Sequence, residues 1–71
     1  MAYFESMEIY KKLLEKGYRT AEIYQNIGDS YYFNGDYKSA TSYYKSLFGL
    51  KKPVSAEYYF RYVQSLKAQN K

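Results

Sequence analysis

The chain has 71 residues, one small domain at most, burying only about 60% of the surface its unfolded form would expose. Cysteine and histidine are both absent, which excludes disulfides, thiolate or imidazole metal sites, and catalytic arrangements built on either residue. The net charge of +4 is dispersed: Glu8 with Lys12, Glu15 with Arg19 and Glu57 with Arg61 sit one helical turn apart, and the doublets Lys11-Lys12 and Lys51-Lys52 are too short to track a phosphate backbone, so no nucleic-acid partner is expected.

Twelve tyrosines and four phenylalanines must supply much of a core this small, because each ring buries roughly 150–250 Å² while a tyrosine hydroxyl can stay wet. No stretch approaches the roughly 18 apolar residues of a membrane span, and no basic-then-apolar leader opens the sequence. Direct membrane insertion of this segment is therefore not expected.

In chain order, residues 2–16 read as a helix that repeats, 34 positions earlier, the pattern of residues 37–47: Tyr3 aligns with Tyr37, Ser6 with Ala40, Tyr10 with Tyr44, Lys11 with Lys45 and Leu13 with Leu47. Gly17 is placed to end it in a left-handed cap, and Thr20 to cap the next helix, with Glu22 in the first turn where the dipole favours an acid. Tyr24, Ile27 and Tyr31, spaced by three and four with Gly28 on the same side, line one helical face over 21–34. Asn34-Gly35-Asp36 is a tight turn, with Gly35 left-handed and Asp36 capping a third helix whose face is Tyr37, Ala40, Tyr44 and Leu47. Gly28 and Ala40 are the smallest residues on these faces, which predicts that they meet and let the two helices approach closely. Gly49 and Pro53 are expected to close that helix. Ser55-Ala56-Glu57 then repeats Thr20-Ala21-Glu22 with an offset of 35. Over 56–69, Tyr59, Tyr62, Val63 and Leu66 stand where Tyr24, Ile27, Gly28 and Tyr31 stood. The expected fold class is all-α, with four helices in antiparallel hairpins.

The stretch from Thr20 to Pro53 resembles the tetratricopeptide (TPR) repeat, a unit of about 34 residues made of two helices. The resemblance rests on Tyr24, Ile27, Gly28, Tyr31, Ala40, Tyr44, Leu47 and Pro53, with tyrosine at 24 where the family most often has tryptophan and leucine at 47 where it usually has alanine. It divides the chain into the second helix of a preceding repeat (2–16), one complete repeat (20–53) and the first helix of a following one (55–70), and implies a right-handed solenoid. Since roughly three repeats are usually needed for a stable stack, the chain is expected to be a piece of a longer protein. Met7, Ile9, Tyr62 and Val63 are then expected to expose apolar surface on the outer helices, with self-association as the consequence.

First helices line the concave face in this family, so the resemblance points to Glu22, Gln25, Asp29, Tyr32 and Phe33 on residues 21–34, which lie away from Tyr24, Ile27 and Tyr31 on the helical wheel. On 56–69 the matching places are Glu57, Phe60, Gln64, Lys67 and Ala68. Exposed Phe33 and Phe60 beside amides and charges suit a peptide or partner helix laid in a groove, although both rings could equally pack on a neighbouring helix. Some members of the family grip C-terminal carboxylates here, but the corresponding places hold Gln25, Asn26 and Asp29, and the acid at 29 would repel such a tail.

No catalytic or cofactor site is expected, and the chain is not expected to be an enzyme. The acids are scattered, and the nearest same-face pair, Glu22 and Asp29, is two turns apart, roughly 10 Å along the axis. The runs EKGYRTAEIYQNIGDSYYFNGDYKSATSYYKSLF and SAEYYFRYVQSLKAQNK also resemble the N-terminal repeats of bacterial outer-membrane proteins that carry a C-terminal OmpA-like peptidoglycan-binding domain, which implies assembly work in the periplasm. The function expected is a scaffold for protein–protein interaction. The alternative is a structural spacer or capping segment with no partner-binding face.

Overall fold

A computed structural model of the protein describes the backbone of residues 2–70 and the side chains of residues 7–70. It contains four α-helices, α1 (Ala2–Glu15), α2 (Ala21–Phe33), α3 (Tyr37–Gly49) and α4 (Ala56–Gln69), and no strand among the described residues. None is long and apolar enough to cross a membrane. The Tyr3 and Ser6 side chains, part of the expected repeat in α1, lie outside the described residues.

Local chemistry sets most of the boundaries. Thr20 caps α2 by accepting a 3.3 Å hydrogen bond from the Ile23 amide, and Asp36 caps α3 by accepting from the Ser39 amide at 3.2 Å. Gly17 and Gly35 adopt φ of 98° and 83°. At both helix ends the following amide reaches back to the last turn, Tyr18 to the Leu13 carbonyl and Asp36 to the Tyr31 carbonyl, a closure that favours glycine in the left-handed position.

The last residue of α3 is Gly49, one of the two expected to close it. Gly49 is still helical, Leu50 continues in the αR region, and the left-handed residue is Lys51, with φ of 58°. Leu50 and Val54 both pack on the core, so the reversal falls between them, on an exposed residue. Ser55 stands at the N-cap of α4 but makes no side-chain capping bond.

Each helix packs on its sequence neighbours, α2 most extensively on α3, and α2 also touches α4. The Cα envelope is 17 Å thick, and each helix carries exposed residues among those described. One buried cluster, Tyr24, Ala40, Tyr44 and Leu47, joins α2 to α3; a second, Met7, Ile23 and Ile27, joins α1 to α2. Met7 is thus 6% exposed, not part of an open outer surface, because α1 turns it onto Ile23 and Ile27. Ile9, by contrast, is 62% exposed.

Gly28 and Ala40, expected to meet, lie on the packed faces of α2 and α3. Both residues are buried, but the atoms nearest to a Cβ built on Gly28 belong to the Tyr44 ring, with Cε1 only 2.7 Å away. The glycine makes room for this ring. Tyr44 therefore lies fully buried across the α2–α3 junction, where an alanine at 28 would collide with it.

Candidate functional site

The α2 and α4 residues expected on a common face fall into two groups. The first is a charged knot. The Asp29 carboxylate accepts a 2.6 Å hydrogen bond from the Tyr44 hydroxyl and a 3.0 Å bond from Arg61 Nη1, while Arg61 Nη2 lies 3.3 Å from Glu57. The Arg61 guanidinium also lies over the rings of Phe33, at 5.0 Å, and Tyr58, at 5.4 Å. Asp29, Phe33 and Glu57 thus converge on Arg61, and the ties among α2, α3 and α4 close there. Arg61 was visible in the sequence only as the i+4 partner of Glu57. Of the three such pairs, this is the one that closes among the described residues.

The electrostatics follow from this geometry. Burial, then the bond to Asp29, pushes the Tyr44 phenol above its ordinary value of 10.0. Tyr58 is raised by burial and then by the Asp29 charge. With Asp29 engaged on both sides, it offers little to a ligand.

The second group surrounds a cleft of about 260 Å³ lined by Tyr32 from α2, Tyr37 from the start of α3, and Gln64, Lys67 and Ala68 from α4. Among its lining residues, Tyr32 meets the Phe33 and Tyr37 rings edge-on, with centroids 5.1 Å and 5.8 Å apart. Lys67 is exposed and forms no ion pair within 4.0 Å among the described residues. Tyr32, Gln64, Lys67 and Ala68 were expected here. Tyr37 was not, because its spacing read only as the core stripe of α3.

The remaining residues are dispersed. Phe60 is 61% exposed and shares a helical face with Gln64 and Lys67 through i+4 and i+7 spacing. Phe33 is 53% exposed at the cleft's aromatic edge. Gln25 is half-buried. Glu22 lies apart, accepting a 3.2 Å hydrogen bond from the Tyr10 hydroxyl of α1. No three potential metal ligands converge among the described residues.

Comparison with known proteins returned no matching protein family, no matching curated protein and no matching solved structure.

Proposed function

We propose that the chain is a protein-interaction module of the tetratricopeptide type, whose α2 and α4 present a concave face to an extended peptide or a partner helix. The observation that carries this reading is the cleft formed by Tyr32, Tyr37, Gln64 and Lys67, bordered by exposed Phe33, with Phe60 on the same face of α4 as Gln64 and Lys67. Two phenols, an amide and an exposed ammonium around an aromatic wall can hold one anchoring side chain, and the exposed rings offer apolar area on either side. On the resemblance to the repeats that precede OmpA-like domains, the module works beside a peptidoglycan-binding unit at the outer membrane, on the periplasmic side.

A spacer without a binding face is the second reading. What favours it is the knot around Arg61, which engages Asp29, Glu57 and Phe33 in holding helices together. Selection from a random peptide library separates the two. An interaction module yields peptides that bind the wild-type chain and lose at least about tenfold in affinity, roughly 1.4 kcal/mol, on Tyr32→Ala and Lys67→Glu variants. A spacer yields none, or peptides indifferent to both changes.

A further inference from the structure

We infer that the open apolar face of α4 receives α1 of a second copy of this chain, independently of the cleft. The starting point is the internal repeat. The α4 helix reproduces α2 at an offset of 35 in detail: Ser65 Oγ donates to the Arg61 carbonyl at 2.8 Å, as Ser30 Oγ donates to that of Asn26 at 2.8 Å. On α2, the residues covered by α3 are Tyr24, in the cluster with Ala40 and Leu47, Gly28, under the Tyr44 ring, and Tyr31, stacked on Tyr43 at 5.7 Å. Their counterparts on α4 are Tyr59, Val63 and Leu66, which are 47%, 44% and 42% exposed and carry no charge between them, one side of the Tyr59 ring being stacked on Phe48 at 4.4 Å. An uncharged stripe of this kind on a small chain marks a contact surface.

What fits the stripe is a helix patterned like α3, and α1 is patterned that way at an offset of 34. Its Ile9 takes the place of Tyr43, and its Tyr10 and Leu13 the places of Tyr44 and Leu47. Met7 is buried against the chain's own α2, and Tyr10 and Leu13, half-buried, also touch that cluster, with the Tyr10 hydroxyl donating to Glu22, so they reach a second copy only with their open sides, whereas Ile9 is 62% exposed. The Tyr31–Tyr43 stack within the chain therefore has an aliphatic counterpart between copies, Leu66 of one against Ile9 of the next. Val63 occupies the space that Gly28 leaves for a tyrosine ring, so the incoming helix rides farther out and the contact is looser than that between α2 and α3. Because the two surfaces differ, the contact is head-to-tail, and each copy keeps a free α4 face or α1 face for a further copy.

Sedimentation velocity on a dilution series reaching roughly 1 mM, the range of weak association, reads this directly. The wild-type mass is expected to climb progressively above the 8.5 kDa monomer. Ile9→Glu and Leu66→Glu are each expected to hold the chain monomeric with unchanged helical circular dichroism, since both side chains are exposed. Mixed, the two variants are expected to form 1:1 dimers and stop there, because only one intact α4 and one intact α1 remain per pair. A monomeric wild type overturns the inference. So does continued association of Ile9→Glu, which would mean α4 pairs with α4. A readout that spares the α4 face is a nitroxide on Ile9→Cys in one copy and ¹⁵N in the other. Broadening of the Val63 and Leu66 amides supports the contact, and broadening elsewhere, or none, overturns it.

Discussion

The Tyr44 hydroxyl donates a 2.6 Å hydrogen bond to Asp29, and the ring that carries it lies across Gly28. The same side chain thus fills the α2–α3 junction and holds a carboxylate that Arg61 of α4 also grips. Core packing and the α2–α4 face are coupled through one residue.

Tyr44→Phe keeps the ring and removes the bond to a charged acceptor, which should cost about 1.5–3 kcal/mol in chemical denaturation. The folded state holds the phenol proton more tightly than the unfolded chain, so the stability this contributes is whole below pH 10.0 and is lost as pH rises from there towards the higher folded value. Tyr10 and Tyr58 are also raised, in each case by burial first. The quantity to measure is therefore the difference between wild type and Tyr44→Phe, which should shrink above that pH by up to ~1.4 kcal/mol per pH unit.

Gly28→Ala improves helix propensity by about 1 kcal/mol, yet its new Cβ meets a buried, hydrogen-bonded ring, and overpacking costs typically 1–3 kcal/mol. The clash at 2.7 Å decides the sign. Thermal unfolding should show a net loss of roughly 0.5–2 kcal/mol.

Arg61→Ala strips Asp29 of its cation and uncovers Phe33 and Tyr58. A loss of about 1–3 kcal/mol is expected from the denaturation midpoint. Glu57 is 57% exposed at its side chain, so Glu57→Ala should cost no more than about 0.5 kcal/mol, and 1 M salt should erase even that.

Lys51 occupies the left-handed region without being glycine. Relief of roughly 1–2 kcal/mol of steric cost exceeds the roughly 0.5–1 kcal/mol of backbone entropy that glycine adds, so Lys51→Gly should raise stability by about 0.5–1 kcal/mol in the same assay.

Local signals in the sequence placed the helices and the first two turns correctly, because caps such as Thr20 and Asp36 and turn glycines such as Gly17 and Gly35 act over four or five residues. Tertiary choices were less legible. Nothing in the spacing told that the Tyr44 ring would lie across Gly28, since Ala40 and Tyr44 share one face of α3. The turn at Lys51 depended on Leu50 and Val54 both reaching the core. Arg61 binds Asp29 across 32 positions, a distance no periodicity covers. Tyr37 looked like a core residue and also lines the cleft, a double role that only the crossing of α2, α3 and α4 creates.

The face we propose for partner binding is formed by α2 and α4 and centred on the Tyr32–Lys67 cleft. Amide NMR of the ¹⁵N-labelled chain, titrated with a peptide selected from a random library, tests it most directly. The expected result is saturable shifts centred on Tyr32, Phe33, Tyr37, Gln64 and Lys67, with Glu8 and Ser46 unmoved. Shifts centred anywhere else, or none with any selected peptide, would contradict it.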